Sequence, residues 1–218
     1  MARSMLAREM GASLRLEVME HTIGADVPDI ERDDLVRRID EIVPWDEQEA
    51  AHAARASAWA AGGAPLYRTR EPDTPDPHLV SYFVALSPRE EVLLVAHRKA
   101  GLWLPSGGHV EPGESPWQTV VRECQEELHV PAVPSAVAGD RPYFITVTPT
   151  RGPRSHTDVS LWYVVDVEAV TSFDRDEFSA VRWVALPEVL DEPIEGLDPH
   201  MHRFARKVMA ALSGEPAA

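Results

Sequence analysis

The chain has 218 residues, 44% hydrophobic and 26% charged, which is typical of one large globular domain or of one domain with an appendage. Its formal net charge of −15 argues against a nucleic-acid partner, because nucleic-acid binders usually present a basic face. The single cysteine, Cys124, excludes an internal disulfide and a four-thiolate zinc site, and it favours a cytoplasmic location. No stretch is long and apolar enough to predict a transmembrane helix, and neither a signal peptide nor a membrane partner is expected.

Residues 1–63 are predicted to form an N-terminal helical extension. Within the segment 28–42, four apolar residues fall roughly on one helical face: Ile30, Leu35, Ile39 and Ile42. Pro44 ends this helix, and the alanine-rich segment 45–61 strongly favours a second one. We therefore expect a helical hairpin that packs against the main domain. Dimerisation and covering of the substrate are the alternative roles.

Residues 64–78 contain four prolines and predict a linker between the extension and a main domain at 79–213. In the main domain the apolar pattern changes to that of strands. Strands are predicted at 79–86 and 92–98, which read as a β-hairpin, and at 102–105, 143–149, 158–167 and 180–186. Helices are predicted over 114–129, 186–190 and 199–212. Strands with helices between and after them favour an α/β or α+β fold.

The helix predicted at 114–129 carries three glutamates within five residues: Glu123, Glu126 and Glu127. An apolar stripe is predicted on its other side, formed by Trp117, Val121, Cys124 and Leu128 and widened by Val120. Like charges one helical turn apart repel, so such a group needs either a solvated face or a cation that cancels the charge. Carboxylate oxygens suit Mg²⁺ or Mn²⁺ better than zinc.

A glycine-rich segment, LPSGGHVEPGES at 104–115, precedes this helix and is predicted to be a loop. Gly107 and Gly108 permit close approaches of the backbone that other residues resist. A carbonyl or an amide group of this loop could therefore reach a metal ion or a phosphate.

The stretch 108–130 resembles the Nudix box, Gly-x5-Glu-x7-Arg-Glu-U-x-Glu-Glu-x-Gly-U, in which U is a bulky aliphatic residue. Seven positions match: Gly108, Glu114, Arg122, Glu123, Glu126, Glu127 and Val130. Cys124 replaces an aliphatic residue, which is a mild change for a small buried hydrophobe. His129 replaces a glycine at the end of the helix, where a left-handed conformation is common and histidine tolerates it less well. The resemblance covers about residues 79–190.

The resemblance implies a Nudix fold, with a mixed β-sheet between helices, and a pyrophosphohydrolase that splits a nucleoside diphosphate linked to another moiety. It also implies a Mg²⁺ or Mn²⁺ cofactor, with these metal ligands: Gly108, Glu123, Glu126 and Glu127. Glu114 and Arg122 would orient the glutamates. Glu123 and Glu127 are the catalytic candidates, with Glu123 the first choice for the general base. Three later carboxylates are alternative bases: Asp158, Asp176 and Glu177. A non-catalytic module that senses nucleotides is the alternative function.

Four basic residues are candidates for contacts with an anionic substrate: Arg98, Lys99, Arg151 and Arg154. The first two end a predicted strand, and the others lie in the basic loop 151–156. The alternative for the first pair is a solvated strand end without a ligand, and for the second pair an ordinary hairpin loop. His156 and Asp158 are candidates for recognising the nucleobase of a substrate. Their position at the edge of a predicted strand explains them equally well. The expected partner is a small nucleotide or another pyrophosphate, and a homodimer remains an open expectation.

Overall fold

The computed structural model describes residues 29–68, 75–151 and 155–214. Expectations that concern 1–28, the middle of the linker at 69–74, and Arg154 lie outside the described residues. No helix in the described part of the chain is long and apolar enough to cross a membrane.

A mixed β-sheet forms the centre of the molecule. In the described part of the chain its strands are β1 (His78–Leu86), β2 (Glu91–His97), β3 (Leu102–Leu104), β4 (Ser106–His109), β5 (Phe144–Pro149), β6 (Thr157–Asp166) and β7 (Phe178–Ala185). The strand order is β3-β2-β1-β6-β5, while β4 pairs with β1 and β7 pairs with β2. β1 and β6 are parallel, and the other pairs are antiparallel. The predicted hairpin of β1 and β2 is therefore confirmed.

Helices cover both faces of this sheet. The described helices are α1 (Asp29–Asp40), α2 (Glu47–Ala61), α3 (Pro116–Glu127), α4 (Leu186–Val189) and α5 (Met201–Ser213), with a short 3₁₀ helix at Ile194–Gly196. On one face α1, α2 and α3 share an apolar core with β1 that includes Ile39, Ala56, Val120, Leu79 and Phe83. On the other face α4 and α5 pack in a second core that includes Val84, Trp162, Val189 and Phe204. This sandwich confirms the predicted Nudix-type fold class.

The prediction of a loop throughout 104–115 is wrong at β4. Residues Ser106–His109 pair with β1 in antiparallel register, with Ser81 opposite Gly108 and Val80 opposite His109. Gly107 has a φ of +143°, and a Cβ at this position would lie 2.2 Å from the carbonyl oxygen of Ser81. Glycine is therefore required for the close approach of β4 to β1, although glycine is otherwise unfavourable in strands.

Asp46 joins the start of α2 to α5. Its Oδ1 accepts a hydrogen bond from the Glu49 amide at 2.8 Å, which caps the helix. Its carboxylate also pairs with Arg203 of α5, where Nε donates to Oδ2 at 2.7 Å. Mainly because of Arg203, the pKa of Asp46 falls from 3.8 to about 2. The group therefore stabilises the fold above pH 3.8, and this contribution disappears as the pH falls toward about 2.

We expect Asp46→Ala to lower the free energy of unfolding at neutral pH by about 1 kcal/mol, the usual value of a helix cap. We add little for the ion pair because the Asp46 side chain is 35% exposed. Urea unfolding from neutral pH to about pH 3 should show the difference from wild type shrinking as the pH falls. Gln48→Ala, at an exposed neighbouring position, is the control. A difference that is the same at both ends of the pH range would contradict this assignment.

Candidate active site

The ends of α3 are set by its sequence. Ser115 caps the first turn: its Oγ accepts from the Gln118 amide at 3.3 Å, and the Gln118 side chain accepts from the Ser115 amide at 2.7 Å. The helix closes through His129, whose φ is +55°. His129 therefore takes the left-handed conformation expected of the glycine it replaces, and its Nδ1 lies 2.8 Å from Ser172 Oγ. The substitution leaves the form of the helix end intact.

The buried side of α3 differs from the predicted stripe. Val121 is 45% exposed, so its assignment to the stripe is wrong. The buried positions instead include Val120, Glu123, Cys124 and Glu127, which are spaced as neighbours along one helical face. Two of the three clustered glutamates thus lie against the sheet and not on an exposed face, because α3 packs on β1 and β4 with that side. Glu126 remains outside, with its side chain 62% exposed.

Glu127 is held by the glycine-rich strand. Its Oε2 accepts a hydrogen bond from the Gly107 amide at 3.0 Å. Burial, together with the nearby charge of Glu123, raises the pKa of Glu127 to about 9. A group with this pKa is protonated at neutral pH unless a cation stabilises its charge. Glu127 is thus a buried carboxyl group in surroundings that favour a cation.

Glu123 lies against Gly108 of β4. A Cβ at Gly108 would come within 2.0 Å of Glu123 Oε1, so any larger residue there would displace this carboxylate from its position. Burial raises the pKa of Glu123, while Arg122 acts in the opposite direction. The Arg122 Nη1 group donates to Glu123 Oε1 at 2.6 Å. Glu123 is therefore a partly desolvated carboxylate whose orientation is fixed by its neighbour.

Arg122 is the centre of a hydrogen-bond network. It donates from Nε and Nη2 to the two carboxylate oxygens of Glu114, at 2.9 and 3.1 Å. Its Nη2 also donates to the His109 carbonyl oxygen at 3.2 Å. The pKa of Glu114 is lowered, mainly by Arg122 and also by Thr119, whose hydroxyl donates to it at 2.9 Å. Glu114 and Arg122 thus occupy positions from which they can orient Glu123.

The donor set fits a hard divalent cation. Glu123 and Glu127 each have a raised pKa, and a bound cation would stabilise both charges. The oxygens of the three glutamates do not converge closely, since no group of potential ligands within 4.8 Å of one another among the described residues includes them. Arg122 accounts for this arrangement, because its Nη1 holds Glu123 and also lies 3.4 Å from Glu126 Oε2.

The predicted substrate contacts lie at the ends of strands. Arg98 follows β2, and its Nε donates to the Arg175 carbonyl oxygen at 2.9 Å. Lys99 is exposed beside it. Arg151 follows β5 and donates to the Glu195 carbonyl oxygen at 3.2 Å. Neither of these two hydrogen bonds joins a basic residue to the carboxylates of α3.

The three alternative general bases lie in different surroundings. Glu177 contributes to the raised pKa of both Glu123 and Glu127 through its charge, so it faces the same region. Asp158 instead lies beside His78 and His156. The Asp176 amide bonds to Asp174 Oδ1 at 2.7 Å. Of the three, Glu177 is the residue that the structure brings to the buried glutamates.

Two histidines near Asp158 were not singled out by the sequence reasoning. His78 and His109 lie with His156 and Asp158 in one compact group. Period-2 alternation along β1 and β6 is a signal that could have placed His78, His156 and Asp158 on one side. His109 could not have been included, because its strand was predicted to be a loop.

Residues 77–210 match the family model of the NUDIX domain. The chain therefore belongs to the Nudix family, and it is a Nudix hydrolase. It is 29% identical over 145 residues to the CTP pyrophosphohydrolase of Escherichia coli (strain K12), covering 64% of this chain and 98% of that protein. It is 34% identical over 101 residues to the asymmetrical bis(5'-nucleosyl)-tetraphosphatase of Sus scrofa, covering 45% of this chain and 66% of the relative. The crystal structure of a MutT protein from Methanosarcina mazei Go1 aligns with a TM-score of 0.48 at 23% identity, over 60% of this chain and 94% of that one.

Proposed function

We propose that this chain is a divalent-metal-dependent pyrophosphohydrolase that acts on a nucleoside diphosphate linked to another moiety. The observation that carries the proposal is the buried pair Glu123 and Glu127, packed against Gly107 and Gly108 inside a family-matched domain. The names of the two curated relatives support the reaction class, since both describe hydrolysis of a phosphoanhydride bond.

The metal ligands in this proposal are the carboxylates of Glu123, Glu126 and Glu127 and the carbonyl oxygen of Gly108. Oxygen ligands of this kind suit Mg²⁺ or Mn²⁺. When bound, such an ion neutralises charge on phosphoryl oxygens and lowers the pKa of a water molecule. The exposed position of Glu126 supports a role at the solvent side of the site.

The side chains divide into positioning and catalytic groups. Glu114 fixes Arg122 through two hydrogen bonds, and Arg122 fixes Glu123. Glu123 remains our first choice for the general base, because Arg122 fixes the orientation of its carboxylate beside the proposed metal site. Glu177 is the alternative base, since its charge acts on both buried glutamates. The base takes a proton from the attacking water as the bridging oxygen leaves the phosphorus.

Basic residues outside the carboxylate group supply the attraction for an anionic substrate in this proposal. Arg98 and Lys99 lie at the exposed end of β2, and Arg151 follows β5, while Arg154 stays a candidate on the sequence alone. The expected partner is a small nucleotide. We propose that the protein is cytoplasmic, because its lone cysteine, Cys124, is buried and not part of a disulfide. Homodimer formation stays a prediction.

We also propose the division of the chain into an extension at 1–63, a linker at 64–78 and a catalytic domain at 79–213. The described part of the extension is the hairpin of α1 and α2. The linker is anchored at its start, where Leu66 is buried and its carbonyl oxygen accepts from the Leu79 amide at 2.8 Å. The hairpin is our first candidate for a role in substrate specificity or in dimerisation.

A phosphate-release screen tests the proposed function. The panel contains nucleoside triphosphates, nucleotide sugars, ADP-ribose and dinucleoside polyphosphates, each with Mg²⁺, with Mn²⁺ and with excess chelator. We expect turnover of at least one class with metal and none with chelator. Failure of every substrate, together with a melting temperature unchanged by metal, would refute the enzyme assignment and favour a nucleotide-sensing module.

A further inference from the structure

Four potential metal ligands lie together away from the glutamates of α3. They are His78, His109, His156 and Asp158, and each offers one ligand atom within 4.8 Å of the others. His78 Nε2 lies 3.4 Å from Asp158 Oδ1, and His156 Nε2 lies 3.2 Å from the same oxygen. The His78 ring lies 4.8 Å from the His109 ring and 4.7 Å from the His156 ring, measured between centroids.

The register of the sheet brings these residues to one face. His78 lies directly opposite Asp158 in the parallel pair of β1 and β6. Val80, two residues along β1, lies opposite His109 of β4. Residues two apart on a strand, and residues opposite each other on paired strands, point to the same side of a sheet. His156 comes two residues before Asp158 and joins the group at the start of β6.

One ring nitrogen of His78 contacts the backbone and the other faces the group. Its Nδ1 lies 2.9 Å from the Pro75 carbonyl oxygen. Because a carbonyl oxygen only accepts hydrogen bonds, Nδ1 carries a hydrogen, and Nε2 is the ring nitrogen directed toward Asp158. A backbone carbonyl on the other ring nitrogen is the usual outer partner of a metal-binding histidine. The His78 side chain is also fully buried, so its orientation is fixed.

We propose that this group, which we call the His/Asp site, binds one divalent ion of the Zn²⁺ class through three imidazoles and the Asp158 carboxylate. Zinc in such sites is tetrahedral with bonds of about 2.0–2.1 Å, which separates the ligand atoms by about 3.4 Å. The two separations from Asp158 Oδ1, 3.2 and 3.4 Å, match that spacing. Imidazole-rich sites select zinc and other late transition metals, whereas Mg²⁺ prefers oxygen ligands alone.

Arg68 is a neighbour of the His/Asp site. Its Nη1 lies 3.3 Å from His109 Nε2, a long contact for a hydrogen bond. Coordination through that nitrogen replaces this contact with a metal–nitrogen bond. The Asp158 carboxylate would then offset one unit of the charge of the ion.

The His/Asp site is separate from the carboxylates of α3. Gly108 and His109 are consecutive residues of β4, so the substituents on their Cα atoms point to opposite faces of the sheet. Glu123 lies against Gly108 on the side covered by α3. His109 therefore points to the other side. The inference rests on the histidines and on Asp158, and it holds whether or not the proposed hydrolysis is correct.

A bound ion would join three segments that meet at this edge. His78 is the first residue of β1 and His156 directly precedes β6, while His109 ends β4 and its carbonyl oxygen accepts from Arg122. The segment before β1 already meets the start of β6, where Asp76 Oδ1 accepts from the Thr157 amide at 2.7 Å. The His/Asp site would therefore join the starts of β1 and β6 to the end of β4.

Zinc titration of the full chain by calorimetry, after treatment with chelator, tests this inference, and elemental analysis counts the metal. We expect one zinc per chain, bound in the presence of excess Mg²⁺, and a higher melting temperature with zinc. His78→Gln and His156→Gln should each reduce the bound zinc to less than about a tenth of an equivalent. His202→Gln, on α5, is the matched control and should keep the full equivalent.

Glu127→Gln should also retain zinc, which separates this site from the carboxylates of α3. Circular dichroism establishes that each variant is folded, and two separate histidine variants guard against one that fails to fold. Absence of zinc uptake by the wild-type chain would overturn the inference. Zinc that binds equally to the wild type and to folded His78→Gln and His156→Gln variants would overturn it too.

Discussion

Replacing Glu127 with glutamine is expected to lower kcat about a thousandfold on whichever substrate the screen identifies. Loss of a metal ligand removes several kcal/mol of charge stabilisation in the transition state, and each 1.4 kcal/mol corresponds to about a tenfold change in rate. Glutamine preserves the shape of the side chain and an oxygen that can accept from the Gly107 amide. The loss should therefore come from the charge and not from a change in packing.

The same substitution should leave the fold at least as stable at neutral pH. Glu127 has a folded-state pKa raised from 4.5 to about 9, so the folded chain holds this proton more tightly than the unfolded chain does. In the absence of metal, ionisation of Glu127 costs stability as the pH rises from 4.5 to about 9, and glutamine removes that cost. Mg²⁺ should raise the melting temperature of the wild type but have little effect on the variant.

Glu111→Gln provides the matched control, since Glu111 is an exposed residue of the same box. Its activity and its response to Mg²⁺ should equal those of the wild type. A Glu127→Gln variant that retains activity, or that still gains stability from Mg²⁺ as the wild type does, would refute the metal-binding role of Glu127.

Lys207→Met is expected to lower the free energy of unfolding by about 3–5 kcal/mol, because it leaves a buried carboxylate without its cation. Lys207 Nζ donates to Glu49 Oε1 and to the Tyr143 carbonyl oxygen, both at 2.7 Å. Glu49 is fully buried and Lys207 is 4% exposed. Burial raises the pKa of Glu49 and lowers that of Lys207, so each depends on the other to remain charged.

A double variant separates the ion pair from simple packing. Lys207→Met combined with Glu49→Met should recover most of the lost stability, because an apolar pair of similar volume carries no desolvation cost. Urea unfolding with unchanged m-values is the measurement. Arg206→Met, at the exposed neighbouring position of α5, is the control and should change stability by less than about 0.5 kcal/mol. A single variant as stable as the control would contradict the proposed dependence.

Most elements of the fold could be predicted because their patterns are local. α5 was predicted at 199–212 and lies at Met201–Ser213, and β6 was predicted at 158–167 and lies at Thr157–Asp166. Their apolar periodicity and their flanking breakers lie within the segments themselves. β4 could not be predicted in this way, because two of its four residues are glycines and it is held by pairing with β1.

The active-site region shows the same division between local and long-range information. The spacing of the box indicated the clustered glutamates, but it did not indicate which of them are buried. Burial of Glu123 and Glu127 follows from the packing of α3 against β4, which periodicity alone cannot specify when a charged residue occupies a core position. The His/Asp site depends on the register between β1 and β6, which are far apart in sequence.

The hairpin of α1 and α2 shares its apolar core with the sheet, and this has a consequence for shortened forms of the protein. A chain trimmed to the family-matched stretch 77–210 would lack Ile39 and Ala56, leaving Leu79 and Phe83 beside an uncovered surface. It would also remove Glu49, the counter-ion of Lys207. The α1–α2 hairpin thus completes the apolar core of the sheet, and we expect a chain trimmed to 77–210 to be less stable than the full chain.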